Sequence, residues 1–293
     1  MPQTPISEPL ILGHHHPAYP QRLRQLHDAP DHLFVAGDPA WLSRPMLAIV
    51  GSRNATLQGC RDAAAFAKSL SMGGITIVSG LATGIDTQAH QGALGGIGST
   101  VAVLGSGLDL IYPPQNQGLA QRISQEGALI SEYPLSSKPE KWRFPRRNRI
   151  IAGLALGTLV IEAGLESGSL ITARLALEAG REVFALPGSI HSPQARGCHR
   201  LIKEGAKLVE TCQDILEELN LEISTAPPEP QPTQQNLPRY LAETLHCPAT
   251  LDQLCEASGL TPEQVSLMLS SMELSGRMAR LPGGRFQVLP NRG

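Results

Sequence analysis

Excess charge is the first thing this 293-residue chain lacks: 24 Lys and Arg stand against 26 Asp and Glu, a formal net of −2. Without a molecule-wide basic field to draw in a polyanion, any nucleic-acid site must be local. Cys60, Cys198, Cys212, Cys247 and Cys255 include no CxxC pair and no histidine spacing that would build a zinc site. Their odd number argues against a closed disulfide framework and fits reduced thiols filling core space. No apolar run reads as a transmembrane segment. The Pro-rich stretch 1–13 also lacks the basic start and sustained apolar region of a secretory signal. A cytoplasmic protein with no membrane insertion is expected. GxGxxG and GxxxxGK[ST] are both absent, so neither a standard dinucleotide site nor a Walker ATPase is supported. No cofactor and no metal are expected, and His14, His15 and His16 read as a solvated stretch.

What is present between Pro45 and Leu219 is an alternation of short apolar runs with helical patterns. The runs are Met46 to Val50, Ile75 to Val78, Thr100 to Leu104, Ala128 to Ile130, Thr158 to Ile161, Val183 to Leu186 and Lys207 to Val209. Such alternation predicts an α/β fold, a mainly parallel sheet flanked by helices. Residues 1–44 hold too few apolar positions for a core of their own and are expected to pack on this main domain, 45–224. Residues 225–238, rich in Pro and Gln, read as a linker. In 239–293, short helices at 239–246, 251–258 and 261–275 and a hairpin over 280–289 form a small winged-helix pattern. Its segment 239–285 carries four arginines against five acids, with Glu263 and Glu273 on the presumed recognition helix. A protein contact is therefore expected there rather than groove binding.

Nearly every strand run ends in Gly, Ser or Pro, and in open α/β sheets the ligand crevice lies beyond the carboxyl ends of the strands. The first run leads into Gly51-Ser52-Arg53-Asn54 before a helix start, where free amides favour an anion. Two readings stand for Arg53: a guanidinium that pairs with phosphate or stacks on a base, or a surface ion pair. The second run ends in Ser79-Gly80-Leu81-Ala82-Thr83-Gly84. Beyond it, Asp86 and His90 are spaced to hydrogen-bond each other on one helical face. The segment 138–149 holds Lys138, Lys141, Arg143, Arg146, Arg147 and Arg149 against Glu140 alone, with Trp142 and Phe144 interleaved. Cations mixed with flat rings are what an unpaired strand requires. Glu162 and Glu166 precede a further turn, Ser167-Gly168-Ser169, that presents amides to phosphate. The two glutamates either orient the arginines or belong to a hydrolytic site. Cys198, without an acidic partner, is a poor nucleophile candidate.

Read together, the strings IVGSRNAT, SGLATGID, GSGLD followed by YPPQN, FPRRNRIIAGL, EAGLESGSLITA and LPGSIHSPQARGCHRLIKEGA resemble the DprA (Smf) family of DNA-processing proteins. That resemblance implies a Rossmann-like domain that dimerises, binds single-stranded DNA without marked sequence preference and loads the RecA recombinase during natural transformation. It implies a binding protein with no turnover. Arg53, Lys141, Phe144, Arg146, Arg147 and Asn148 are carried over as DNA contacts, with Ser52, Gly80, Gly168 and Ser169 as amide donors. The competing class is a nucleotide-cleaving phosphoribohydrolase, a more distant likeness, in which Glu162 or Glu166 would be catalytic.

Overall fold

The structure, a computed structural model, describes residues 9–221 and, farther on, 249–258, 261, 265, 269, 278–281 and 285–288. The chain divides into two units, 1–225 and 226–293. In the first, β1 (Leu10–Gly13), α1 (Gln21–Arg24) and β2 (His32–Gly37) precede the alternating run. That run opens with β3 (Met46–Val50), α2 (Leu57–Met72), β4 (Thr76–Ser79), α3 (Ile85–Ala93), β5 (Thr100–Leu104), α4 (Gln117–Glu126) and β6 (Ala128–Ser131). It continues with α5 (Arg143–Leu154), β7 (Gly157–Val160), α6 (Ser169–Glu178), β8 (Glu182–Ala185), α7 (Arg196–Lys203), β9 (Lys207–Leu208) and α8 (Cys212–Glu218). Every apolar run read from the sequence is a strand, with ends displaced by at most one residue.

The strands form one sheet in the order β1-β2-β6-β5-β4-β3-β7-β8-β9. Pairs from β3 to β9 are parallel, so the architecture is the Rossmann-like α/β sheet expected. Strand alternation assigns the two faces. Leu47 and Ile49 join Ala63, Phe66 and Ile85 on one side, whereas Met46, Ala48 and Val50 join Ile150, Ile151 and Ala173 on the other. Burying both faces explains why these strands read as continuous apolar runs. Each fully buried Leu or Ile contributes about 1.5–3 kcal/mol.

The N-terminal segment does more than pack on the main domain. Its β2 adds antiparallel to β6, with Val35 opposite Ile130, and β1 then pairs with β2. The backbone groups along β6 thereby gain partners that an open edge would leave unmet.

In the second unit, β10 (Ala249–Thr250), β11 (Met278–Leu281) and β12 (Arg285–Val288) form an antiparallel sheet in the order β10-β12-β11. The helix Leu251–Ser258 follows β10, and Leu254, Val265 and Leu269 are buried. The expected linker 225–238, the helix at 239–246 and most of the helix at 261–275 lie outside the described residues.

Candidate functional site

The strand order reverses at β3. From there the chain builds outward through β4, β5 and β6, and α5 then carries it back to β7 on the other side of β3. Loops after β3 and β7 consequently diverge, which opens a crevice at a topological switch point. A cavity of about 710 Å3 occupies it, with Arg53, Phe144, Asn148, Glu166, Gly168 and Arg196 among its walls.

Backbone bonds stitch the floor together. The Ser52 amide donates to the Glu162 carbonyl at 2.7 Å, and the Ile85 amide donates to the Ser52 carbonyl at 3.2 Å. Gly84 has φ +77°, and a Cβ there would lie 2.3 Å from the Ser52 oxygen. Only glycine lets these two loops close. Arg53 emerges exposed from this rigid turn and makes no ion pair among the described residues. Its guanidinium carbon stands 5.8 Å from the Phe144 ring centroid, within cation–π reach. Of the two readings left by the sequence, the surface ion pair is not found among the described residues.

Arg147, expected as a DNA contact, lines the cleft but is buried in its wall. It is 4 % exposed, and its Nη1 donates to the Gly80 carbonyl at 2.7 Å and to the Val103 carbonyl. Burial lowers its pKa to about 10, with Asp86 pulling the other way. Asp86 is buried too, and burial raises its carboxyl above the usual range against the attraction of Arg147. The amides of Gly80 and Ala82 donate to Asp86 Oδ2 at 3.2 and 3.4 Å. Gly80 therefore has no spare amide for a ligand, and neither has Ser52, whose N–H goes to Glu162. What Gly80 supplies is space, since a Cβ there would lie 2.5 Å from Arg147 Nη2. Asp86 and His90 make no hydrogen bond to each other. His90 Nδ1 pairs with Thr100 Oγ1 at 2.7 Å, and burial, then the Arg147 charge, lowers its pKa to about 3.

The rest of the basic segment divides by surroundings. Arg149 Nε lies 3.2 Å from Asp28, and its Nη2 bonds Glu132. Arg146 approaches Glu132 at 3.6 Å while staying 56 % exposed. Arg143 pairs with Glu140 at 3.2 Å and lies over the Tyr133 and Trp142 rings, 4.5 and 5.3 Å from their centroids. Lys138 and Lys141 are exposed without an ion pair among the described residues. Phe144, Pro145 and Asn148 line the cleft, whereas Lys141 and Arg146 do not. Pro145 is tolerated in the first turn of α5, where its missing N–H would have no helical partner.

Across the cleft, α6 begins at Ser169. Gly168 is open, with nothing within 4 Å of an added Cβ, and its carbonyl accepts from Asn148 Nδ2 at 3.4 Å. The Ser167 and Ser169 hydroxyls share a hydrogen bond at 2.7 Å. Glu162 orients no arginine among the described residues. Its carboxylate accepts from the Thr56 amide at 2.9 Å and the Thr56 hydroxyl at 2.6 Å, at the start of α2 where the helix dipole favours an anion. Cys198 is buried, and burial pushes its thiol up to about 11. No group of three or more His, Cys, Asp or Glu side chains among the described residues could hold a metal ion.

Sequence reasoning missed two residues here: Arg196, an exposed cation in the wall of the cleft, and, beside its rim, Tyr112. Its ring stands 5.5 Å from Phe144 and is 48 % exposed. The one signal for it was an aromatic set before two prolines in a strand-end loop.

Fold and cleft together define a Rossmann-like protein whose switch point presents a free cation against a ridge of flat side chains, suited to an anion that carries rings. Comparison with known proteins sharpens the class. A family model described as DNA recombination-mediator protein A matches residues 10–220, and one described as the DprA winged helix domain matches residues 224–284. The chain belongs to the DprA family. It is 45 % identical to protein Smf of Escherichia coli over 280 residues, covering 92 % of this chain and 75 % of that one. Identity to the DNA processing protein DprA of Streptococcus pneumoniae is 48 % over 200 residues, 68 % of this chain and 71 % of the relative. An X-ray structure of DprA from Streptococcus pneumoniae superposes with a TM-score of 0.70 at 46 % identity, covering 73 % of this chain and 75 % of that one. DNA processing protein A of Helicobacter pylori, whose structure is described for its single-stranded DNA binding mode, superposes with a TM-score of 0.64. Its identity is 32 %, over 69 % of this chain and 92 % of that one. No helix among the described residues is long and apolar enough to cross a membrane.

Proposed function

We propose that this protein binds single-stranded DNA in the switch-point cleft, protects it, and loads RecA onto it during natural transformation and recombination. It does so as a cytoplasmic homodimer and turns over no substrate. The observation that carries the DNA reading is Arg53, a cation without an ion pair among the described residues, held by a rigid turn against the Phe144 ring at the mouth of the cleft. The single-stranded DNA binding described for the Helicobacter pylori relative supports it. RecA loading and dimerisation rest on family membership.

Within this reading Arg53 pairs with phosphate and Phe144 stacks on a base. Asn148, Gly168 and Ser169 form the opposite wall, where the Gly168 amide is offered to a phosphate while the Ser169 amide leans on the Ser167 hydroxyl at 3.4 Å. Lys141 and Arg146 act from outside the cleft by drawing the strand in. Ser52, Gly80 and Arg147 hold the frame. The winged-helix unit, acidic where a recognition helix would be basic, contacts protein.

Absence of turnover is supported by the commitments of Glu162, Asp86 and Cys198, which leave Glu166 as the carboxylate that faces the cleft. Glu162 is bound to Thr56, Asp86 is buried under two amides, and Cys198 holds its proton. The test is a salt titration of binding to oligothymidine and to duplex, alongside incubation with nucleoside monophosphates. Tight single-strand binding that weakens with salt, with no base released, is expected. Base release abolished by Glu162→Gln would transfer the protein to the phosphoribohydrolase class.

A further inference from the structure

Two residues before Phe144, at the N-terminal cap of α5, stands an aromatic side chain that the cleft does not use. Trp142 is 53 % exposed and is absent from the walls of the cleft. We propose that it is an outer stacking platform: a strand held at Arg53 leaves the cleft toward β6, one of its bases lies on the Trp142 indole, and Lys138 and Lys141 meet the flanking phosphates. The proposal rests on the strand-binding reading and extends the path of the strand.

The indole is held in advance. Its Nε1 donates to Glu140 Oε2 at 2.5 Å, and the other Glu140 oxygen lies 3.2 Å from Arg143 Nη2. Arg143 Nη1 donates in turn to the Lys138 carbonyl at 2.8 Å, while its guanidinium carbon lies over both the Trp142 and the Tyr133 ring. The loop behind is pinned to the turn after β5, because the Ser136 amide donates to Asp109 Oδ1 at 2.8 Å and the Gly107 amide donates to the Ser137 carbonyl at 2.9 Å. Little ordering is therefore required when a base arrives. The same bonds fix the chemistry of the surface. Glu140, the one acid of the segment 138–149, is neutralised by Arg143, and the indole N–H is committed to it. What faces outward is a flat ring beside two exposed lysines that make no ion pair among the described residues. An apolar partner would gain nothing from the lysines, and a simple anion nothing from the ring. A polynucleotide with unstacked bases uses both.

The sheet places this platform in line with the cleft. Arg53 follows β3, and Phe144 covers the end of β5, where a Cβ on Gly105 would lie 3.0 Å from its ring. Trp142 meets Tyr133, just past β6, edge to face at 6.3 Å. Because β6, β5, β4 and β3 are consecutive neighbours in the sheet, the three side chains mark stations across its carboxyl edge. From first to last they cross three strand spacings, about 14 Å. A strand that touches all three runs across the sheet, perpendicular to the β-strands, from the switch point toward β6.

The test uses the full chain carrying Trp41→Phe, in which Trp142 is the one remaining tryptophan. Saturating oligothymidine is expected to quench its fluorescence, whereas an abasic oligomer of the same length and a duplex leave it unchanged. This readout keeps the indole in place. In the otherwise wild-type chain, Trp142→Ala is expected to bind oligothymidine roughly 5- to 150-fold more weakly, the range that one stacked base carries. Its salt slope stays that of wild type, since the ring carries no charge, and Trp142→Phe keeps most of the affinity. Thermal unfolding of the variants confirms an intact fold. No quenching at saturation, or equal quenching by the abasic oligomer or the duplex, would overturn the platform. So would wild-type oligothymidine affinity in Trp142→Ala beside a loss in Arg53→Ala, which would leave strand binding standing. A flatter salt slope in Trp142→Ala would also overturn it, because the loss would then come from displaced lysines. Failure of the wild-type protein to bind oligothymidine would remove the strand reading itself, and the platform with it.

Discussion

Helix α5 turns two faces to two different surroundings. Phe144, Asn148 and Ile151, spaced at four and three residues, look into the switch-point cleft. Arg146 and Arg149, three apart, look away from it toward Glu132, with Asp28 behind. Arg147 lies between, buried in the wall of the cleft. A single run of positive charge thus divides into structural cations and a face that lines the cleft. The difference is made by what each side chain meets, because a carboxylate at 2.5–3.6 Å competes with any phosphate, whereas Arg53, over the Phe144 ring, makes no ion pair among the described residues.

The sharpest way to break that division is at Arg147. Arg147→Ala strands the buried Asp86 and leaves the Gly80 and Val103 carbonyls without their donor. A stability loss of about 3–5 kcal/mol is expected in urea denaturation. Unchanged stability with weakened DNA binding would return Arg147 to the ligand face. Arg53→Ala should do the reverse. Losing a charge-assisted contact worth about 1.5–3 kcal/mol weakens oligothymidine binding roughly 10- to 100-fold while the unfolding midpoint stays put.

The buried side also has a pH signature. His90, with its pKa lowered to about 3, stays neutral in the fold while the unfolded chain takes up a proton near pH 6.5. Its contribution is full above pH 6.5 and is lost as pH falls toward 3, at up to about 1.4 kcal/mol per unit. Asp86, raised by burial, holds its proton longer in the fold than in the unfolded chain and so works in the opposite sense. Comparing His90→Gln with wild type across pH 4–7 isolates the histidine, and the variant should show the shallower acid loss. Lys141→Ala is expected to lower affinity a few-fold and to reduce the salt slope by about 1, one phosphate contact. The smallest effect is expected at Arg146→Ala, whose long 3.6 Å pair is open on the arginine side and leaves Glu132 still bound to Arg149, so that about 0–1 kcal/mol of stability is at stake.

Much of the frame was legible in the sequence. Strands buried on both faces announce themselves as apolar runs, and their Gly- and Ser-rich ends marked the crevice where Arg53 emerges. Less visible were partnerships between distant segments. Nothing local in His32–Gly37 reveals that it pairs with Ala128–Ser131, nearly a hundred residues later. Glu162 bracing Thr56 spans 106 positions, and Arg147 reaches Gly80 and Val103 across 67 and 44. Charge counting over 138–149 detected a basic segment, yet it could not separate cations with carboxylate partners from those without, since Glu132 and Asp28 lie outside the window. Tyr112 escaped for a related reason: its ridge partner, Phe144, comes from another part of the chain.

Equilibrium binding of labelled oligothymidine to Arg53→Ala and wild type, titrated over salt and paired with matched unfolding curves, tests the central claim most directly. At least a tenfold weaker complex, a shallower salt dependence and superimposable unfolding are expected of the variant. Equal dissociation constants at every salt concentration would contradict the assignment of Arg53 to the bound strand.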